Sequence, residues 1–166
     1  MILIFGGAYQ GKLAYALERF GLADGDVYRC REDDAAIPGN KKIIYELDKW
    51  ILALVRADAE AEADRSAADT NSDPDSNADA VAAADTNSDP NSNADIEGAV
   101  RRFIGQNGDA VVICNDISCG VVPDDPVLRK WREATGRAMA ELAGASEEVV
   151  RLFCGIATTL KPVRNG

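Results

Sequence analysis

The sequence predicts one α/β domain over residues 1–166, with a mostly parallel sheet between helical layers, interrupted by an acidic insertion. Three observations lead to this fold class. Short apolar runs alternate with amphipathic segments, a glycine-rich turn follows the first run, and residues 57–95 are almost free of large apolar side chains. Short apolar runs that end at glycine are typical of buried parallel strands, and helices that alternate with them cover both faces of the sheet.

The first part of the chain predicts two strands and two helices. Residues 2–5 are apolar and end at a glycine pair, so we expect a buried strand there. Lys12–Phe20 has apolar residues at helical spacing before a glycine, which predicts a helix and its end. Residues 26–31 are a candidate for a second short strand. The apolar spacing over residues 42–55 predicts mainly helix.

The last part continues the alternation. Residues 96–104 predict a helix and residues 110–114 a second central strand. A long amphipathic helix is expected over residues 124–143, with Asp124 or Asp125 as the cap and a proline in the first turn. Residues 149–154 are expected to form the last strand, which ends at a glycine.

The segment 57–95 differs from the rest in charge and composition. It accounts for the whole formal charge of −10, its apolar residues are alanines and one valine, and an 11-residue stretch recurs, with one difference, at a period of 16. Such a segment buries too little apolar surface to offset the entropy of ordering, so we expect a disordered insertion. Residues 57–68 could instead extend the preceding helix. Calcium binding by the repeat is disfavoured, since the glycine and glutamate of a calcium loop are missing.

Several function classes are excluded or disfavoured by composition. Outside the insertion the charges balance, so no positive field for nucleic acid is expected. No apolar run is long enough to span a membrane, and the first residues lack the pattern of a secretory signal, so we expect a cytoplasmic protein. The sequence has no histidine, which excludes Ser–His and Cys–His catalysis and histidine metal sites.

The turn after the first strand carries the clearest chemical signal. It matches G-x-x-x-x-G-K between a predicted strand and a predicted helix, the context of a P-loop NTPase-like fold. Its backbone amides and the helix N-terminus would bind the phosphates of ATP or GTP, and the lysine would reach the outer ones. Leu13 follows where Ser or Thr usually binds Mg²⁺, so the metal is in doubt. The alternative is a glycine-rich turn with an incidental lysine. The candidate nucleotide-binding residues are Gly6, Gly7, Ala8, Tyr9, Gln10, Gly11, Lys12 and Leu13.

Four blocks resemble one family in the same order. They are MILIFGGAYQGK at the start, VVICNDISCGVVP from residue 111, WREATGR from residue 131 and EEVVRLFCGIATTLK from residue 147. Together they are similar to the bifunctional adenosylcobinamide kinase / adenosylcobinamide-phosphate guanylyltransferase family. The resemblance implies a P-loop α/β fold, a corrinoid substrate (adenosylcobinamide), phosphorylation of its aminopropanol hydroxyl with ATP or GTP, and a homo-oligomer. It also implies guanylyl transfer through a histidine, which this sequence lacks.

The remaining candidates are two acids and two arginines. Asp116 follows the strand 110–114, where an acid could hold Mg²⁺ or act as the base for a substrate hydroxyl; it could equally cap a turn. Glu46 is a weaker metal candidate, and on a helix it would be solvated. Arg132 and Arg137 lie in the third resembling block and could contact substrate or phosphate, whereas Arg137 could also pair with Glu141, four residues further along its own helix.

Two hypotheses about function follow. The first is phosphorylation of adenosylcobinamide in the assembly of the nucleotide loop of cobalamin, with Lys12 and Asp116 as catalytic residues and histidine-dependent guanylyl transfer lost. The second is a catalytically inactive family member that binds nucleotide or corrinoid and has a regulatory or partner role. The replacement of the loop hydroxyl by Leu13 motivates the second. A third interpretation makes the acidic repeat a calcium-responsive or electrostatic tether.

Overall fold

The computed structural model describes residues 1–69, 90–118 and 120–163. The strands are β1 (Ile2–Gly6), β2 (Val27–Arg29), β3 (Ile43–Tyr45), β4 (Val111–Asn115), β5 (Glu148–Phe153) and β6 (Ile156–Lys161). The helices are α1 (Lys12–Phe20), α2 (Leu47–Asp69), α3 (Pro90–Gln106) and α4 (Pro126–Ala145). A 3-10 turn, Asp24–Asp26, precedes β2.

The strands form one six-stranded sheet in the order β2-β3-β4-β1-β5-β6. The first five of these strands are parallel, and β6 runs antiparallel to β5 at the edge. The carboxyl ends of β1, β3 and β4 therefore lie side by side at one edge of the sheet. In open parallel sheets this edge is where ligands bind.

Two apolar clusters sandwich the sheet. Leu3 and Val112 face α2, α3 and α4 on one side, whereas Ile4 and Ile113 face α1 on the other. The alternation along each strand follows from the two-residue period of side chains in a strand. This arrangement is the three-layer α/β fold that the sequence predicts.

The segment 42–55 shows where helical periodicity misleads. Residues 43–45 form the central strand β3, and the helix begins only at Leu47. Glu46 separates the two with a positive φ of 61°. The prediction of mainly helix over 42–55 holds from Leu47 onward and was wrong for the residues before it, because a strand buried on both faces is as apolar as a helix face.

The end of the chain contains one more strand than expected. β5 is followed by the edge strand β6, and Cys154 and Gly155, both with positive φ, make the turn between them. The prediction of 149–154 as the last strand was wrong on that point. The other helices agree closely with the sequence: α1 has the predicted bounds, and Asp125 caps α4 by accepting a hydrogen bond from the Val127 amide at 2.7 Å.

The predicted insertion is described only at its two ends, and both are helical. Residues 57–69 continue α2, as the helix-extension alternative expected, and residues 90–95 open α3. The expected disorder of the segment between them concerns residues 70–89, which lie outside the described residues. In the described part of the chain no helix is long and apolar enough to cross a membrane.

Candidate active site

The glycine-rich loop lies between β1 and α1 at the carboxyl end of the sheet. At Gly6 a Cβ would lie 2.2 Å from the Leu152 carbonyl oxygen, so the loop leaves the sheet against the backbone of β5. Gly11, with φ 80°, is the residue that precedes the first turn of α1. Tyr9 also has a positive φ, and its side chain is exposed. The loop therefore turns its backbone around the helix N-terminus, a geometry suited to anions.

Lys12 is the central side chain of the site. It is 4% exposed, and its Nζ donates hydrogen bonds to the carbonyl oxygens of Gly6 (3.1 Å) and Gly7 (2.6 Å) and to Asn115 Oδ1 (2.8 Å). All three acceptors are uncharged. Burial lowers the pKa of Lys12, and the negative charge of Asp48 opposes that effect. The ammonium is thus held at the loop without a carboxylate as direct partner.

Asp48 is a buried carboxylate that the sequence did not identify. It lies in the first turn of α2 and is 4% exposed. Its Oδ1 accepts hydrogen bonds from Asn115 N (3.0 Å) and Nδ2 (3.1 Å), and Oδ2 lies 3.2 Å from the same Nδ2. Asn115 in turn accepts from Lys12, so a polar chain runs from α2 through β4 to the loop lysine.

The position of Asp48 depends on packing that no local pattern records. The Trp131 indole Nε1 of α4 donates a hydrogen bond to the Asp48 carbonyl oxygen at 2.7 Å, which ties α4 to the start of α2. A helix start directly after β3 could have drawn attention to Asp48. Since the sequence predicts helix from residue 42, that signal was hidden.

Asp116 lies one residue beyond β4, next to Asn115. Its backbone amide donates to the Gly6 carbonyl oxygen at 2.9 Å, and its Oδ1 accepts from Ser118 N at 3.1 Å and Ser118 Oγ at 2.5 Å. The contacts of Oδ1 are therefore those of the turn-capping alternative. Its carboxylate also acts electrostatically on Lys12. Asp116 thus combines a capping geometry with a place beside the loop.

Glu46 lies at the carboxyl end of β3. Its carboxylate pairs with Lys49 at 2.9 Å and also acts on the charge of Lys12. The helix-face interpretation does not apply, because Glu46 precedes the helix. The structure therefore brings this residue to the same edge as Asp116, with an ion pair already made.

A metal would have to be held without the usual loop hydroxyl. Leu13 packs against the apolar cluster under α1. Among residues 1–69, 90–118 and 120–163, no group of three or more acidic or cysteine side chains could hold an ion. Mg²⁺ is commonly held by one or two carboxylates together with substrate phosphates and water. The side chains present fit this arrangement of few carboxylates with phosphates and water. Asp116 is the residue best placed to supply a carboxylate.

Arg132 borders the site from α4. Its guanidinium donates to the carbonyl oxygen of Ser118, and at 3.3 Å each to those of Gly120 and Val121. It thereby holds the loop after β4 against the helix. Between that loop, the end of β1 and α4 lies a cavity of about 220 Å³, which Arg132 and Asp116 both line.

Arg137 lies one turn further along α4 and contacts other partners. Its guanidinium pairs with Glu133 at 2.5 Å and with Glu97 of α3 at 3.3 Å. These contacts are exposed and connect α3 to α4. Arg137 therefore makes ion pairs, but the partner expected at i+4, Glu141, was wrong, because Glu141 pairs with Arg101 of α3 at 2.9 Å.

Comparison of the sequence with known proteins identifies the family of the chain. A search of curated proteins gave no match. The family model for cobinamide kinase / cobinamide phosphate guanyltransferase matches residues 56–160, which is more than half of the chain. That range contains Asn115, Asp116 and Arg132, while the glycine-rich loop lies before it. The chain therefore belongs to the cobinamide kinase / cobinamide phosphate guanyltransferase family, whose members act in cobalamin biosynthesis.

Proposed function

We propose that the protein transfers the outer phosphoryl group of ATP or GTP to the aminopropanol hydroxyl of adenosylcobinamide. One observation carries this proposal: the buried Lys12 is bound only through uncharged oxygens in its described contacts, at a glycine-rich helix N-terminus. A phosphate oxygen is a stronger acceptor for an ammonium than a carbonyl oxygen. The family supplies the acceptor, cobinamide.

Phosphoryl transfer requires positioning and charge stabilisation more than covalent chemistry. The loop amides and the start of α1 would bind the phosphates. Lys12 would exchange its bonds to the Gly6 and Gly7 carbonyl oxygens for the transferring group. Asn115 would keep the lysine aimed at that group, because Asp48 fixes the amide of Asn115 from behind. Asp48 would thus act through Asn115 and Lys12.

Asp116 would orient the acceptor hydroxyl or accept its proton. A bound Mg²⁺ would neutralise charge on the phosphates, and Asp116 would be its protein ligand. Since Asp116 N also donates to the Gly6 carbonyl oxygen, the acid and the loop keep a fixed separation. Histidine-dependent guanylyl transfer is not part of the proposal, because the sequence has no histidine.

The test compares two lysines that lie at opposite ends of the sheet. Lys12→Ala should reduce phosphorylation of adenosylcobinamide by at least about a hundredfold, the usual effect of removing one preorganised charge-stabilising donor. Lys42→Ala is the matched control, since Lys42 is exposed at the start of β3, at the opposite end of the sheet. The corrinoid mass after incubation with ATP or GTP reports the product. Equal activity of the two variants would refute the proposal.

A second candidate function is supported by Leu13. Its side chain packs in the apolar cluster, so the usual metal-binding hydroxyl is replaced by a core contact. The chain could then be an inactive family member that binds nucleotide or corrinoid in a regulatory or partner role. Leu13→Ser separates the two functions. Mg²⁺-dependent turnover in this variant alone would identify the native chain as an inactive family member. Turnover in the native chain would exclude the inactive role.

We also propose that the chain is a cytoplasmic homo-oligomer. The observation that supports association is the edge hairpin of β5 and β6, where Phe153, Ile156 and Leu160 are all more than half exposed. An exposed apolar edge strand is a pairing site unless something covers it. Ile156→Lys should lower the mass measured by light scattering if the hairpin lies in the interface. An unchanged oligomer would place the interface elsewhere.

A further inference from the structure

One cavity lies between the carboxyl ends of β1 and β4 and the middle of α4. Its wall contains a buried polar group that has no role in the glycine-rich loop. Thr135 lines the cavity and is 2% exposed, and among the described residues its Oγ1 has no hydrogen-bond partner. Threonine in a helix usually bonds back to a carbonyl of the preceding turn. A buried hydroxyl without any partner is costly, so its presence at a cavity wall points to a ligand.

The surroundings of Thr135 restrict the chemistry of that ligand. Phe5 and Met139 provide apolar wall, and the two charged lining residues, Asp116 and Arg132, have opposite signs. Arg132 already donates to carbonyl oxygens of the loop after β4. A neutral, partly apolar group with a hydrogen-bonding atom fits such a wall better than an ion does.

The size of the cavity limits how much of a ligand can enter. About 220 Å³ corresponds to roughly seven water molecules at ~30 Å³ each. A short side arm of a large molecule has that volume, whereas a macrocycle would remain outside.

The position of the cavity decides which substrate it serves. Asn115 lines the cavity and also binds Lys12, the residue that meets the outer phosphates. The cavity therefore adjoins the end of the triphosphate that is transferred, and the nucleoside extends from the other end. An acceptor hydroxyl must approach that transferred end in line.

We propose that this cavity receives the alcohol-bearing arm of the corrinoid acceptor, and that Thr135 is the buried group that hydrogen-bonds the arm. The inference rests on the proposed kinase function for the identity of the acceptor. Threonine in a helix populates two χ1 rotamers, so binding can select the one that presents the hydroxyl. Asp116, at the mouth near Lys12, then meets the hydroxyl that reacts.

The first test removes only the hydroxyl. Thr135→Val should weaken cobinamide binding by roughly tenfold, the effect of one lost hydrogen bond to a buried group, and leave the affinity for ATP and GTP unchanged. Its thermal midpoint should stay equal or rise, because an unpartnered hydroxyl is replaced by a methyl group. Thr135→Ser should restore most of the cobinamide affinity. Equilibrium dialysis, with corrin absorbance as readout, measures binding without any phosphate transfer.

The second test fills the cavity. A Cβ at Gly136, which lines the cavity, would meet no atom within 4 Å, so Gly136→Leu occupies the space without disturbing α4. Cobinamide binding should fall by more than tenfold. Gly144→Leu is the matched control, since Gly144 lies in the last turn of α4 with equal room and no place in the cavity.

The outcomes separate this inference from the kinase proposal. If both cavity variants weaken cobinamide binding but the chain never transfers phosphate, the result would support the proposed cavity and refute the proposed kinase function. Unchanged cobinamide affinity in both variants would overturn the pocket, as would a wild-type chain that does not bind cobinamide. A fall in nucleotide affinity instead would make the cavity a nucleobase site and also overturn the inference.

Discussion

Lys12 and Lys130 are two largely buried lysines held in opposite ways. Lys12 is bound by three uncharged oxygens at the loop, whereas Lys130 of α4 forms ion pairs with Asp58 at 2.6 Å and Glu62 at 3.2 Å on α2. Burial lowers the pKa of Lys12. Burial also opposes the charge of Lys130, but the bonds to Asp58 and Glu62 outweigh it and raise that pKa.

The difference separates a charge that we propose binds phosphate from a structural one. The charge of Lys130 is already neutralised by Asp58 and Glu62, so its ion pairs join α2 to α4. A ligand anion would gain little from this lysine. The described hydrogen bonds of Lys12 go to uncharged oxygens, at a place where the backbone is shaped for anions, and the carboxylates of Asp48, Glu46 and Asp116 act on it only electrostatically. Buried charges without a direct partner are costly and concentrate at functional sites. The three predictions below test this contrast.

The largest effect should come from removing each charge with a side chain of similar length. Lys12→Met should lower the affinity for ATP and GTP by about a hundredfold and change the free energy of unfolding by no more than about 1 kcal/mol, because the lost bonds and the lost burial cost offset each other. Lys130→Met should leave nucleotide affinity intact and lower the free energy of unfolding by about 1–2 kcal/mol, since Asp58 and Glu62 lose their partner. Nucleotide titration and urea unfolding measure both. Identical profiles for the two variants would contradict the contrast.

A smaller effect should come from Asp48. Asp48→Asn removes the negative charge that raises the pKa of Lys12 against burial, so that pKa falls further. Nucleotide binding is lost as pH rises through the pKa of Lys12, and the loss should therefore begin at lower pH in the variant. The carboxylates of Glu46 and Asp116 and the thiol of Cys114 also face Lys12 and remain in place.

At neutral pH the same variant should bind nucleotide about threefold more weakly, as expected for one altered hydrogen bond. Asp58→Asn is the control, because the described ion pair of Asp58 is with Lys130, and this variant should lose nucleotide binding at the same pH as wild type. Nucleotide affinity measured from neutral to alkaline pH provides the comparison. If the pH at which nucleotide binding is lost shifts in both variants, or in neither, the result would count against the role of Asp48.

The smallest effect should appear in the pH dependence of stability. The pKa of Lys130 is raised above 10.5 in the folded state, so its contribution is complete below pH 10.5 and is lost as pH rises through the folded value. Wild type should therefore lose more stability than Lys130→Met over that range. Lys12, with a lowered pKa, acts in the opposite direction in both chains and cancels from the difference. Parallel curves of unfolding free energy would refute this expectation.

The sequence predicts the layers of the fold well because burial is periodic in them. α1 has its predicted bounds, since the loop glycines and a terminal glycine delimit it. β6 was missed because nearly all of its residues are exposed, so that no buried face marks it. β3 was merged with α2 because both of its partners, β2 and β4, are distant in sequence, and pairing between distant segments leaves no local signal.

The motifs predict Lys12 and Asp116 as site residues, and the structure brings both to one edge of the sheet, because parallel strands end together there. Their roles in binding and catalysis stay predictions. Asp48 and Thr135 could not be found in that way. Both lie on helices, where a polar residue ordinarily predicts solvent, and only the packing of α2 and α4 against the sheet buries them.

The close approach of Gly6 to the Leu152 carbonyl oxygen restricts how the loop can be varied by mutagenesis. Any side chain at position 6 would have to displace the backbone of β5, so every library of loop sequences should hold that position constant. Position 11 also has a positive φ but open space around it, so asparagine, which tolerates this conformation, is the replacement to include there. Variation can then be confined to positions 8–10, with the backbone path of the loop unchanged.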